Sequence, residues 1–515
     1  MKIKLNVFMS MVSTKIWLSG VRCSFKKLSI SCGVLLVIAN VVTGCAVGPD
    51  FQSPASPDVN GYTPEPLALK TASDSNAAGG EAQHFVLGLD IPAQWWTLYE
   101  SPALNALIER AISANPDVQA AQAALRVAQE NVAAQKGTLF PSIDASFTPS
   151  RQKVPTGSVT SNATSGATIY SLHTAQVSVS YIPDVFGGNR RAIESQEAQA
   201  EYSRFQLQAA YLSLTANVVT TAIQVASLDA QLKATRQIIS LESEQLDLLR
   251  KQAELGQIAG VGVSAQEAAL AQAQAAVPLM QKQLDQQRNL LIALTGRFPS
   301  EQLSEQLELP KLRLPQELPV SLPSRLVQQR PDVRAAEAQL HTASALVGVA
   351  EANMLPQFTL TAAGGSAATQ FSDLFTSGTG FWGIAGGVTQ PLFQGGTLLH
   401  RKRAAEASYD QSAALYRSTV IAAFQNVADS LRALQLDAES LKAASVAEQA
   451  TKNNLEIARR QVQLGDISYL ALLSSEQAYQ QALINRIQMQ ASRYADTAAL
   501  FQALGGGWWN QKEPT

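Results

Sequence analysis

Asn115-Pro116-Asp117-Val118-Gln119-Ala120-Ala121 recurs 215 residues later as Arg330-Pro331-Asp332-Val333-Arg334-Ala335-Ala336. The same offset carries Phe140-Pro141 onto Leu355-Pro356. Further on, Phe186-Gly187-Gly188 corresponds to Gln394-Gly395-Gly396, Leu255-Gly256 to Leu464-Gly465, and Ala293-Leu294-Thr295-Gly296 to Ala503-Leu504-Gly505-Gly506. Self-similarity of this kind predicts two units, 100–300 and 317–506, with one order of elements. Residues 301–316 read as a linker in the equatorial region of the molecule, and 507–515 as a tail.

Each unit opens with a helix whose first turn holds a proline, Pro116 or Pro331, the position where proline is tolerated. Each such helix ends near Pro141 or Pro356, where the apolar period changes from helical to two. Ile143, Ala145 and Phe147 alternate with Asp144, Ser146 and Thr148, and Ala175, Val177, Val179 and Tyr181 alternate with polar residues. In the second unit Phe358, Leu360 and Ala362 alternate with Thr359 and Thr361, and a Gly-rich strand follows around 382–388. Two strands of about 10 residues per unit, each with one apolar and one polar face, suit a membrane barrel with a wet interior. Four strands cannot close in lipid without leaving backbone groups unpaired, so the chain must oligomerise.

Long helices follow, about 190–254 and 397–464, each reaching on the order of 100 Å at 1.5 Å per residue. Phe424, Val427, Leu431, Leu434, Ala438 and Leu441 step by three and four, as do Leu207, Tyr211, Leu214 and Val218. Leu232, Ile239 and Leu246 continue the seam by sevens, the spacing of helix packed on helix. Each long helix turns at Leu255-Gly256 or Leu464-Gly465 and returns to residue 296 or 504. Hairpins of that length are staves of a tube rather than parts of a compact domain.

Composition agrees. Of the 515 residues 46% are hydrophobic but only 6% aromatic, the bias of closely packed Ala-rich helices. A net charge of −2 excludes a basic nucleic-acid binder. Six basic residues and no acid precede Cys45; removing them leaves 33 basic against 41 acidic residues, a net charge of −8. Lys26 and Lys27, an apolar run over 28–42 and then Thr43-Gly44-Cys45 describe a secretory signal, 1–44, too short for a confident membrane span. Small residues before a cysteine resemble the bacterial lipobox, with Val42 where Leu is more usual. That resemblance implies cleavage before Cys45 and its acylation, leaving 45–99 as a lipid-anchored segment. Ala46, in place of the Asp that retains enteric lipoproteins in the inner membrane, directs the expectation to the outer membrane.

Cys45-Ala46-Val47-Gly48-Pro49-Asp50-Phe51, the two Pro-Asp-Val helices, Phe186-Gly187-Gly188-Asn189-Arg190-Arg191 and Leu504-Gly505-Gly506-Gly507-Trp508 together resemble the outer-membrane efflux (TolC) family. The NodT-like lipoprotein branch is the nearest, over almost the whole mature chain. The resemblance implies a homotrimer with a shared β-barrel of about twelve strands continued by a periplasmic α-helical barrel. It implies a periplasmic membrane-fusion adaptor and an inner-membrane pump of the resistance-nodulation-division type as partners, no cofactor and no catalysis. Adaptor hairpins would dock at Leu255, Gly256, Gln257, Leu464, Gly465 and Asp466. Relatives often close this tip with carboxylate rings just after the second turn, where this chain has Ala471 and Ser474, with Gly262 at the matching place in the first unit. Asp466 and Glu476 are left as candidate gate charges, or else closure rests on packing around Tyr469 and Leu472. Export of proteins through a type I system, and a non-conducting coiled-coil scaffold, remain as alternatives.

Other patterns carry less. Gly378-Thr379-Gly380-Phe381-Trp382-Gly383 fits a phosphate-binding glycine pattern, but an alternating strand follows it and not a helix. His84, His173, His341 and His400 are scattered without metal-ligand spacing. Arg190, Arg191, Arg401, Lys402 and Arg403 begin the long helices and read either as solvated surface or as groups facing lipid head groups. Trp95, Trp96, Trp508 and Trp509 fit either that interface or a belt around the middle of the tube.

Overall fold

The computed structural model describes residues 46–59, 61–75, 77–153, 169–302, 305 and 307–511. In chain order the elements are β1 (His84–Leu87), α1 (Pro102–Ala114), α2 (Pro116–Gly137), β2 (Ser142–Lys153), β3 (Ile169–Tyr181), α3 (Gly188–Glu254) and α4 (Gly260–Leu294). Then follow β4 (Glu317–Val320), α5 (Pro323–Gln329), α6 (Pro331–Ala352), β5 (Gln357–Ala368), β6 (Gly380–Thr389), α7 (Thr397–Leu464) and α8 (Tyr469–Ala503). From α1 and from α5 onward the order is the same: two short helices, two strands, a long helix and its return.

Local chemistry sets the boundaries. Pro116 and Pro331 stand in the first turns of α2 and α6, and Asn115 caps α2 by accepting from the amides of Asp117 and Val118. Gly187 and Gly396 precede the long helices with φ of 77° and 85°, a left-handed conformation that a Cβ disfavours.

The four strands form one antiparallel sheet in the order β2-β3-β5-β6. Ile143 pairs with Val179, Val179 with Ala362, and Ala362 with Ile384, so apolar residues line up across all four strands. The opposite face carries Asp144, Ser178 and Ala363, then Gly383. Among the described residues neither face is covered: β6 is exposed at every position, Trp382 and Ile384 to 80% and 78%. Among the described residues both edges, β2 and β6, are open. The helices that connect directly to the sheet, α2, α3, α6 and α7, all meet it at one end, and at the far end residues 369–379 join β5 to β6.

α3 packs along α2, α6, its own return α4, and α8, while α7 packs on α6 and α8. The seam of α7 is as expected, with Val427, Leu431, Leu434, Ala438 and Leu441 buried. In α3 the seam passes through Thr235, Ile238, Glu242 and Leu249, and Ile239 stands one step off it. The helix serves two partners at once, so its buried stripe is wider than one heptad row.

Midway along, α1, β1, β4, α5 and the 307–314 stretch wrap the bundle in a girdle. β1 and β4 pair in parallel. Leu307, Leu309, Leu312 and Leu314 are buried in the main core, so the stretch expected to be a linker is part of the packing.

Candidate functional site

The hairpin turns have one geometry used twice. In the first, the amide of Gly256 donates to Ala253 O (2.9 Å) and that of Gln257 to Gln252 O (2.9 Å). In the second, the amide of Gly465 donates to Val462 O (3.1 Å) and that of Asp466 to Gln461 O (2.9 Å). Gly256 and Gly465 have φ of 70° and 80°. This is the paired-bond helix ending that a left-handed glycine permits. Nothing lies within 4 Å of where a Cβ would stand on either, so the glycines answer to backbone conformation and not to crowding. Leu255 and Leu464, at 73% and 76% exposure, project from the two turns, and Gln257 and Asp466 are exposed beside them.

Above the second turn, Leu472 is buried with Leu455 and Ala458, and Tyr469 and Tyr479 lean on that cluster. Ser474 is exposed. Glu476 is placed differently from an open gate charge. It is only 6% exposed and lies in the seam between hairpins, where Arg459 of α7 donates to it at 3.4 Å. The Gln245 amide of α3 faces the same carboxylate, and with its nitrogen assigned toward Glu476 it would donate at 3.0 and 3.2 Å. Glu242 of α3 is buried alongside. Burial, and then the neighbouring Glu476, pushes the pKa of Glu242 up; burial likewise raises that of Glu476 against the opposing pull of Arg459. Glu242 and Arg459 were not singled out by sequence because each looks like ordinary helix surface until the partner helix is known.

At the other end of the helices the structure gathers residues that sequence had left scattered. Cys45 and the signal segment lie outside the described residues. The chain just after Cys45 is held at the junction of sheet and helices: the amide of Val47 donates to Phe186 O (3.1 Å), and a Cβ on Gly187 would strike Ala46. Arg191 is neither solvated surface nor lipid-facing. Its guanidinium is buried and donates to Val47 O (3.1 Å), Gly48 O (3.2 Å), Asp50 (2.6 Å) and Glu194 (2.8 Å). Gly348 of α6 leaves room for the strap, with Val47 O 2.9 Å from where its Cβ would be. Phe51 stacks on His341 at 4.2 Å, and His341 bonds Glu194 at 2.8 Å. Arg190 pairs with Asp184 and Lys402 with Glu351, whereas Arg401 and Arg403 are exposed.

The tryptophans belong to the girdle. Trp95 and Trp96 are buried, Trp95 stacking on Phe501, and Trp508 and Trp509 bond to Gln329 O and Asp90. There Arg493, 1% exposed, donates to Gly79 O, Glu81 O, Thr71 and Gln83 at 2.6–3.4 Å. Gly380-Phe381-Trp382-Gly383 lies within β6 and opens no helix, so the glycine pattern is a hairpin and strand.

Comparison with known proteins fits this geometry. The profile described as "Outer membrane efflux protein" matches residues 107–297 and 322–506, the two stretches with the same element order. The probable efflux pump outer membrane protein TtgC of Pseudomonas putida is 30% identical over 93% of this chain and 96% of its own. The pyoverdine export outer membrane protein OpmQ of Pseudomonas aeruginosa is 28% identical over 88% of this chain and 95% of its own. The Neisseria gonorrhoeae MtrE outer membrane channel, solved in its open state, shares 26% identity and a TM-score of 0.75 over 90% of this chain and 99% of its own. Two matched stretches covering most of the chain, and relatives alike nearly end to end, identify it: the chain belongs to the outer membrane efflux protein family, an efflux component of the outer membrane.

Proposed function

We propose that this chain is the outer-membrane duct of a tripartite efflux pump: a homotrimer, acylated at Cys45, that passes small molecules without consuming energy itself. The observation that carries the reading is the sheet. It has one apolar face, one polar face, two edges open among the described residues and all four connecting helices at one end. β2 and β6 run in opposite directions, so β6 of one copy can continue antiparallel onto β2 of the next. Three copies supply about twelve strands, and closure removes every edge. The apolar face then meets lipid and the polar face lines the lumen. A non-conducting scaffold has no use for such a sheet.

The hairpins, on the order of 100 Å long, continue the lumen into the periplasm. Leu255, Gly256, Gln257 and Leu464, Gly465, Asp466 form the adaptor-docking tip, where two exposed leucines per chain offer apolar contact. The inner-membrane partner is a pump of the resistance-nodulation-division type. The gate rests on Tyr469 and Leu472, reinforced by the Glu242–Glu476–Arg459 seam between hairpins, with Asp466 and Ser474 on the open side. The shared element order is that of a duplicated unit.

Single-channel recording of the purified protein in planar bilayers, with oligomeric mass measured on the same sample, tests the duct. Discrete pores from a trimer, more often open when Arg459 is replaced by Ala, are expected. A monomer without conductance sinks the shared barrel.

A further inference from the structure

The apolar face of the sheet is graded along its length. Counting from the helix end, Ile143, Val179 and Ile384 make an aliphatic band. Beyond it, on the same face, Phe147 stacks with His173 at 6.3 Å, and Phe371 from the 369–379 connection meets both rings edge-on at 5.9 and 6.0 Å. Beyond the rings, Arg151 and Lys153 stand at the last positions of β2, both exposed and in the same alternation as Ile143 and Phe147. At about 3.3 Å per residue, Lys153 lies roughly 33 Å along the strand from Ile143, which at a barrel tilt of about 40° is about 25 Å of height, and Arg151 about 20 Å. That spans the height of the apolar band of a membrane barrel, so the two cations stand at its outer border, beyond the rings.

The charges at this end are one-sided. Residues 154–168, which connect β2 to β3, contain no Asp or Glu, and the 369–379 connection contains only Asp373. Long cationic side chains directly outside an aromatic belt, on the lipid-facing side, fit phosphate held at the depth of lipid head groups. Arg151 offers a planar fork that matches phosphate oxygens two at a time, and Lys153 a second point charge.

We infer that Arg151 and Lys153 form a binding rim for phosphorylated glycolipid of the outer leaflet, engaging its phosphates while the acyl chains lie on the aromatic and aliphatic bands. The inference rests on the barrel reading of the sheet. Three copies would place three such rims around the duct.

The test compares full-length protein in phosphatidylcholine vesicles with added bisphosphorylated lipid A, dephosphorylated lipid A, phosphatidylglycerol, or inorganic phosphate. Heat dissociation of the folded oligomer and bound lipid by native mass spectrometry are the readouts. Bisphosphorylated lipid A alone raises the dissociation temperature and stays bound. Losing one cation weakens binding roughly fivefold, and Arg151→Gln with Lys153→Gln about thirtyfold. Arg151→Lys with Lys153→Arg keeps most of it, which separates lost charge from lost folding. Equal effects of dephosphorylated lipid A or phosphatidylglycerol, an effect of free phosphate, or full binding by the double Gln variant overturn the rim. If the unaltered protein inserts no β-structure, the barrel reading fails and the rim with it; insertion without discrimination among lipids removes the rim alone.

Discussion

The girdle and the sheet are opposite ways of ending a chain's need for partners. Around Arg493 one chain supplies everything. Gly79, Glu81, Thr71 and Gln83 take the guanidinium's hydrogen bonds, Tyr99 donates to Tyr494 O (2.8 Å), and Tyr494 donates to Leu312 O (2.9 Å). In the sheet one chain supplies register and an apolar face, and among the described residues both edges stay unpaired. Stability that one copy completes should respond to mutation as in any globular core. Stability completed between copies should respond as assembly.

The sharpest way to break that contrast is at Arg493. Arg493→Ala strands several buried acceptors and should cost about 3 kcal/mol or more, seen as an early denaturant transition of girdle tryptophan fluorescence. Ile384→Arg, at the border of the apolar band, should leave that transition in place yet cost up to about 1 kcal/mol of membrane insertion, read as a weakened heat-resistant oligomer on gels. A girdle that melts early in Ile384→Arg would erase the distinction between the two regions. Gly348→Val sharpens it from a third side. Its side chain would collide with the strap at Val47 O and should cost about 1–3 kcal/mol, detected as faster proteolysis within residues 46–59.

The last prediction concerns acidity. Burial first, then Asp496 beside it, pushes the pKa of Asp437 up to about 7, with Arg493 opposing. The folded state therefore holds this proton more tightly than an unfolded chain, whose aspartates titrate near 4. The resulting stabilisation is present in full below that unfolded value and is lost as pH rises toward 7. Asp437→Asn should flatten the decline of stability across this window, measured by urea unfolding at pH 5 and pH 7.5; an unchanged slope would show that Asp437 is not the group responsible.

Much of the fold was legible because its signals are local. Gly396 and Gly465 bracket α7 where the sequence placed it, and alternation found all four strands. The site was legible where backbone conformation demands a residue, as at Gly256 and Gly465. It was illegible where meaning comes from a distant partner. Arg191 looks like any helix-start cation until Val47 and Asp50 arrive, and Glu476 looks like a lumen charge until α3 covers it. The phase of α3 slipped from Ile238 to Ile239 for the same reason, since two neighbours share its face.

The strap has a consequence for how the molecule is made. Residues 46–51 rest on Gly187, Arg191, His341 and Gly348, and Thr71 and Gln83 rest on Arg493, more than 400 residues away. A chain entering the periplasm N-terminus first therefore presents its earliest segment long before anything exists to receive it. Contacts so remote in sequence form late and slowly. The part made first must wait for the part made last, so the N-terminal arm closes the fold and cannot start it.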